Sequence, residues 1–288
     1  MNVCDVNELR ALMGRHGFRI SKSKSQNFVV QDWVPREIVD SSGADENTGV
    51  LEIGPGVGAL TRELSVRAGK VAAVEVDSSL LPVLKETLSE CQNVNVICDD
   101  ILKMDLNVLL DQEFQGLSPM VCANLPYNIT SPVLSRLLES RLFPTITVMI
   151  QKEVAQRICA APGDRDCSAF SLYCQYFAQC TMLFDVSPDC FYPVPKVTST
   201  VIQLCQWENP PVEVEDEALL FRTIRGGFAL RRKTLVNSMG TVFPSISKYE
   251  MTRIVEECGF SPTIRGEKLS LEDYAILSAK LGEREKGK

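Results

Sequence analysis

The chain has 288 residues, 45% of them hydrophobic and 23% charged, with a formal net charge of −7. That is enough for one large domain, or one domain and a small second one, and the composition is that of a globular protein. No apolar run approaches the ~20 residues of a membrane helix, and the N-terminus lacks a charged segment followed by an apolar one, so a cytoplasmic protein with no secretory signal and no membrane partner is expected.

In chain order, a first amphipathic stretch ends at His16, the lone histidine, which is read as structural because no Ser or Cys partner for a triad is in view. "GVLEIG" (49–54) is an apolar strand ending in glycine, and "GALTRELSVRAG" (58–69) has helical spacing with Gly69 as its stop. "KVAAVEVD" (70–77) is a second strand, followed by the helical "SSLLPVLKETLSE"; "VNVICDD" (94–100), "PMVCAN" (119–124) and "TITVMIQ" (145–151) are the third to fifth. Alternation of β and α with near-continuous apolar strands predicts an α/β fold with a mostly parallel sheet and helices on both faces. "CTMLFDV" and "TSTVIQLCQW" are read as an antiparallel pair at the sheet edge.

At "WENPPVEVEDE" (207–217) the pattern changes to a linker. Only helical periodicity follows, so the expected domains are 1–207 and a small helical domain 208–288, its tail "GEREKGK" frayed. Residues 206–288 carry equal numbers of basic and acidic side chains, so the acidic excess lies upstream. Within them, Arg222, Arg225, Arg231, Arg232 and Lys233 form a run with no acid, "FRTIRGGFALRRKT". A local basic patch can grip phosphates on an acidic protein, because charges beyond ~8 Å are largely screened at physiological salt. The 11 cysteines are odd in number and form no C-x-x-C pair, so they are read as buried free thiols; with one histidine and no ligand spacing, no metal site is expected.

"LEIGPGVGAL" joins the first strand to its helix. Gly54, Gly56 and Gly58 let the backbone pass close to a ligand at a helix N-terminus. Gly54, Gly56 and Ala59 also satisfy the dinucleotide fingerprint G-x-G-x-x-[G/A], and Glu75, about 20 residues on, would bind ribose hydroxyls in either case. Two details favour S-adenosylmethionine over NAD. Glu52 gives the Glu-x-Gly-x-Gly-x-Gly form common in methyltransferases, and Asp100 ends the third strand where a carboxylate can accept from an adenine amino group. Asp99 competes for that assignment, and one of the pair can instead cap the next helix.

The fourth strand ends in Asn124-Leu125-Pro126-Tyr127, at the carboxyl edge of the sheet. An exocyclic adenine amine is a poor nucleophile because its lone pair is delocalised into the ring. Two fixed oxygens that accept its hydrogens favour a more tetrahedral nitrogen. The Asn124 amide supplies one, and the Leu125 carbonyl, aimed by the rigid φ of Pro126, the other. Tyr127 offers a flat face for a flipped base.

Taken together, "SQNF" (25–28), "EIGPGVGALT", "VEVD", "DDIL", "ANLPYNITSPVL", "MIQKEVAQRI", "FYPVPKVTSTV", "RRKTLVNSM" and "IRGEKLS" occur in one order along nearly the whole chain. In this the chain resembles the KsgA/RsmA family of small-subunit ribosomal RNA adenine dimethyltransferases. The resemblance implies a Rossmann-like methyltransferase fold with a seven-stranded sheet. It also implies S-adenosylmethionine-dependent dimethylation of N6 of two adjacent adenines in the 3′-terminal hairpin loop of 16S ribosomal RNA. It assigns Asn27 and the backbone of Val29, with Gly54 beneath, to the methionine end of the cofactor, Glu75 to the ribose, and Asp100 to the adenine amino group, and it places Gln26 and Gly56 among the cofactor-binding residues. Asn124 would lie between cofactor and target base, and Phe191 would stack on that base from the face opposite Tyr127. The basic run 222–233 would contact phosphates of an assembling 30S particle, with the protein acting as a monomer and without a metal. The chain departs from the family pattern at Cys167-Ser168, where Tyr-Gly is usual, at Val29 for Leu, and at Gln31 for Asp. Three other readings compete: an Erm-type large-subunit methyltransferase, against which the RRKT block and the longer C-terminal domain argue; a non-catalytic assembly factor; and an NAD oxidoreductase, which leaves the Asn-Leu-Pro-Tyr turn unexplained.

Overall fold

A computed structural model describes residues 2–20 and 26–286, the side chains of 285 and 286 excepted. Ser25 of the SQNF segment lies outside the described residues. The first elements are α1 (Val6–Arg15), β1 (Phe28–Val29), α2 (Trp33–Ser42), β2 (Thr48–Ile53), α3 (Ala59–Arg67), β3 (Lys70–Glu75), α4 (Leu81–Thr87) and β4 (Val94–Cys98). Then come α5 (Leu106–Glu113), β5 (Ser118–Asn124), α6 (Thr130–Ser140), β6 (Thr145–Gln151), α7 (Lys152–Cys159), α8 (Ala169–Phe177), β7 (Ala178–Val186), β8 (Phe191–Tyr192) and β9 (Ser199–Gln206). The chain closes with α9 (Glu217–Phe228), α10 (Leu235–Met239), α11 (Lys248–Glu257) and α12 (Leu271–Lys286). Helix starts follow local chemistry. Asp5 caps α1 by accepting from the amides of Asn7 and Glu8, Asp216 caps α9, and Ser247 caps α11. Pro82 stands in the first turn of α4, where its missing N–H costs nothing.

Among the described residues, seven strands form one sheet in the order β4-β3-β2-β5-β6-β9-β7. The pairs β2–β3, β2–β5, β3–β4 and β5–β6 are parallel, and β9 runs antiparallel to β6. β2 leads outward through β3 to β4 on one side, and β5 leads to β6 on the other. The order therefore reverses between β2 and β5, and the crevice for a ligand opens outside the carboxyl ends of those strands. Val34, Ile38 and Val39 of α2 and Leu60 and Leu64 of α3 pack with Val50, Val71, Met120 and Cys122 in one core. The alternate strand positions Leu51, Ala72, Val121 and Val148 are also fully buried, so the sheet is covered on both faces. A separate two-stranded ribbon pairs Phe28 with Tyr192 and Val29 with Phe191.

The chain divides into two compact units, one of residues 1–155 and 179–206, the other of 156–178 and 207–288. The segment 156–178, which the sequence reading places in the first domain, thus groups with the C-terminal helices. Its aromatic residues supply the reason: Tyr173, Tyr176 and Phe177 of α8 meet Phe221 of α9 at ring distances of 5.0, 5.2 and 5.7 Å. In the same unit a Cβ on Gly227 would stand 1.9 Å from the Tyr274 hydroxyl, and one on Gly266 would stand 2.3 Å from the Gly227 carbonyl. The two glycines therefore permit a crossing of α9, the 266–268 turn and α12 that no larger residue allows.

Two local expectations are corrected, and a third falls partly outside the described residues. α3 ends at Arg67, and Gly69 is a close-packing residue, since a Cβ there would lie 2.4 Å from the Glu46 carbonyl. Of the tail expected to fray, 282–286 belong to α12, and 287 and 288 lie outside the described residues. Cys98, expected to be buried, is exposed because β4 is an edge strand of the sheet. All the cysteines are free thiols. No helix among the described residues is long and apolar enough to cross a membrane.

Candidate active site

The loop after β2 is built for close approach. Gly54, Gly56 and Gly58 have φ of 72°, 60° and 87°, the left-handed region where a side chain is strained. The Gly54 amide donates to the Val74 carbonyl at 2.9 Å, which ties the loop to β3. Gly58 is the N-cap of α3 and has no side chain to occupy that helix's first amides. The ring of Phe28 lies 3.1 Å from where a Gly56 Cβ would stand, so the N-terminal segment packs directly on the loop.

β3 ends in a buried carboxylate, Glu75, whose Oε1 accepts from the Asp77 amide at 2.8 Å. Asp77, also buried, accepts from the Ser79 amide and hydroxyl and from Nε2 of Gln26 at 2.9 Å. Gln26 is therefore an anchor that fastens the segment before β1 to the turn after β3. The sequence reading gave Asp77 no role, although Asp-Ser-Ser before a helix is the visible mark of such a turn. At the end of β4, Asp99 accepts from the Asp100 amide at 2.7 Å. Asp100 accepts from the Leu102 amide at 3.1 Å and pairs with Lys103 at 3.1 Å. The Leu102 bond first, and Lys103 second, hold the Asp100 carboxyl below the usual carboxylate range. The Asp99–Asp100 choice thus resolves into two neighbouring carboxylates, both on the cleft, of which Asp100 also closes the local turn.

Glu52 lies beneath the glycine loop, 1% exposed, and its Oε2 has no hydrogen-bond partner. Burial raises its carboxyl to about 8; the nearby Thr61 hydroxyl opposes the rise and the charge of Glu75 adds to it.

Asn124 is the last residue of β5, and the Leu125 amide donates to the Met149 carbonyl of β6 at 3.1 Å, which fixes the turn to the sheet. Among the described residues, no hydrogen bond engages the Asn124 side chain. Pro126 packs 3.6 Å from where a Gly54 Cβ would stand, so the turn and the glycine loop touch. The Tyr127 hydroxyl hydrogen-bonds Oγ of Ser199 at 2.8 Å, and burial raises its ionisation above the usual value. Ser199, the first residue of β9, escaped the sequence reading because only tertiary pairing brings it to Tyr127.

One cleft of the first unit is lined by Gln26, Asn27, Val29, Gly54, Gly56, Glu75, Asp100, the turn 124–127 and Phe191. These are the residues the sequence reading assigned to cofactor and catalysis. The β1–β8 ribbon brings residues 27–29 to Phe191 across more than 160 positions of chain. Phe191 is a wall of the cleft rather than an open stacking face, since its ring is 2% exposed and packed with Val29, Val34 and Ile38. The basic residues belong to the second unit and do not behave alike. Arg222 donates to the Val242 carbonyl at 3.2 Å and stacks over Phe243 at 4.2 Å; Arg231 donates to the Arg165 carbonyl at 2.6 Å and pairs with Glu267 at 3.6 Å. Arg225, Arg232 and Lys233 are exposed, with no ion pair among the described residues. No cluster of three or more His, Cys, Asp or Glu that could hold a metal occurs among the described residues.

A family model described as ribosomal RNA adenine dimethylase matches residues 17–264. Proteins called ribosomal RNA small subunit methyltransferase A are similar over most of their length. That of Shouchella clausii is 45% identical over 271 residues, covering 93% of this chain and 92% of its own. That of Geobacillus sp. (strain WCH70) is 42% identical over 273 residues, covering 93% and 94%. Among solved structures, a dimethyladenosine transferase from Plasmodium falciparum superposes with a TM-score of 0.76 at 23% identity, over 90% of this chain and 98% of its own. The 23S rRNA methyltransferase ErmE superposes with a TM-score of 0.66 at 24% identity, over 88% and 99%. The two structures share the methyltransferase fold with this chain, and the family model, with relatives above 40% identity, goes further: the chain belongs to the ribosomal RNA adenine dimethylase family.

Proposed function

We propose that this chain is an S-adenosylmethionine-dependent enzyme that dimethylates N6 of two adjacent adenines in the 3′-terminal hairpin loop of 16S ribosomal RNA. It would act as a monomer in the cytoplasm, on an assembling 30S particle. The observation that carries the reading is the junction of the Asn124–Tyr127 turn with the glycine loop in one cleft, at the point where the strand order reverses. The names of the relatives at 42% and 45% identity favour the small subunit over the large one.

The residues present fit that cofactor. Gly54 and Gly56 hold their backbone in the left-handed region, α3 begins without a side-chain cap, and buried Glu75 ends β3 beside them. Asn27, Val29 and Gly54 would hold the methionine end, Glu75 the ribose and Asp100 the adenine, with Gln26 fastening the segment of Asn27 and Val29 to Asp77. When bound, the cofactor supplies an electrophilic methyl group. The Asn124 amide oxygen and the Leu125 carbonyl accept the two hydrogens of the target amine, which turns its lone pair out of the ring. Positive charge developing on that nitrogen then meets oxygens already in place, so little reorganisation is needed during the reaction. Tyr127, steadied by Ser199, supplies the stacking face, and Phe191 the apolar wall. Arg225, Arg232 and Lys233 supply phosphate contacts, and Arg222 and Arg231 shape the second unit that presents them.

The test is methyl transfer from labelled S-adenosylmethionine to small subunits lacking the modification, with chromatography of the digested nucleosides. Dimethyladenosine is the expected product. Transfer only to large-subunit RNA, or none, overturns the reading.

A further inference from the structure

Arg10 of α1 differs from four other arginines of the first unit, which pair with acids. Arg15 pairs with Glu86, Arg36 with Glu63, Arg62 with Glu90 and Arg67 with Asp40. Arg10 is exposed and has no carboxylate partner among the described residues; the nearest acid on its own helix, Glu8, accepts from the Asn2 amide at 2.7 Å. Its guanidinium instead lies 4.9 Å from the ring centroid of Tyr192. A stacked guanidinium keeps its edge N–H groups in the ring plane and available to an anion.

The place of that pair gives it meaning. Tyr192 sits in β8 opposite Phe28, and Phe191, beside it, sits opposite Val29. Successive residues of a strand face opposite sides. Phe191 accordingly joins the core behind the cleft, while Tyr192 packs with Leu9 and Leu12 of α1 and with Phe18 and Phe28. One two-residue strand thus carries the cleft wall on one face and the arginine platform on the other. α1 is fixed to the ribbon by Leu9 and Leu12, both fully buried, so Arg10 is held in place rather than free to sweep the surface.

We infer that Arg10, stacked on Tyr192, is a phosphate clamp that holds the RNA strand beside the adenine in the cleft. The inference rests on the function proposed above. A fixed cation with its hydrogen-bonding edge open, on an otherwise acidic unit and one residue from the cleft wall, is suited to a polyanion whose base enters that cleft.

The experiment compares wild type with Arg10→Gln, Arg10→Lys, Tyr192→Leu and the control Arg67→Gln. Two readouts are taken on unmethylated small subunits: binding as a function of salt, and the KM and kcat of methyl transfer. Arg10→Gln should weaken binding about tenfold, lower the slope of log K against log salt by about 0.7–1, and place the loss on KM rather than kcat. Arg10→Lys should restore the slope but only part of the affinity, because the ammonium lacks the planar fork. Tyr192→Leu should weaken binding with the slope kept, and Arg67→Gln should match wild type. Binding and slope of Arg10→Gln equal to wild type overturn the clamp while the enzyme's function stands. Wild type that neither binds nor methylates the subunits overturns both.

Discussion

Replacing Glu52 by Gln should stabilise the ligand-free protein increasingly as pH rises. Glu52 is buried and its Oε2 lacks a hydrogen-bond partner. Its carboxyl is raised from 4.5 to about 8, chiefly by burial. In the unfolded chain it returns to its ordinary value. Between these limits the folded protein retains a proton that the unfolded chain has released, so stability falls as pH rises. The contribution is fully present below about 4.5 and is lost as pH passes the folded value near 8. At about 1.4 kcal/mol per pH unit the interval amounts to roughly 5 kcal/mol, and relaxation and water entry around a buried ion reduce it to about 2–4 kcal/mol. Gln has nearly the same shape and stays neutral throughout. Thermal unfolding of both proteins from pH 5 to pH 9 should give nearly equal Tm at the acid end. The variant should then gain about 2–4 °C per kcal/mol toward the alkaline end. A difference that stays constant with pH would mean that Glu52 ionises alike in both states, and would refute the argument.

Further substitutions probe the site and its support. Asn124→Ala should lower kcat by about 10²–10³, the loss typical of one fixed acceptor or donor to a developing charge, with S-adenosylmethionine affinity by calorimetry within a few-fold of wild type; unchanged turnover would exclude the assigned role. Gly227→Ala places a methyl group 1.9 Å from the Tyr274 hydroxyl and should destabilise the protein by about 1–3 kcal/mol in urea, whereas Gly17→Ala, with nothing within 4 Å, should cost only the backbone strain of its left-handed φ, about 1–2 kcal/mol. Neutralising Arg232 and Lys233 together should reduce the salt slope of subunit binding by about 1.4–2, but Arg222→Gln should act mainly on stability, since its guanidinium stacks on Phe243; an Arg222 effect confined to the salt slope would reverse that division.

Much of this protein could be read in one dimension. Apolar runs of strand length alternating with helical spacing dictate a covered parallel sheet, because strand and helix periods are local and the hydrophobic effect acts on them wherever they lie. Gly54, Gly56 and Gly58 declare a backbone no other residue tolerates, and Asn124-Leu125-Pro126-Tyr127 declares its chemistry in four consecutive positions. What depended on tertiary structure were contacts between residues far apart in sequence. The pairing of Val29 with Phe191, the bond from Gln26 to Asp77 and that from Tyr127 to Ser199 leave no local pattern behind them. The same holds for 156–178, whose helical pattern says nothing of which core its aromatics enter. The basic run shows the difference most plainly. Five cations look equivalent in sequence, because charge is a property of the residue. Whether each faces a phosphate or braces a neighbour depends on the partners that packing brings to it, so Arg222 and Arg231 are engaged within their unit while Arg225, Arg232 and Lys233 stand exposed.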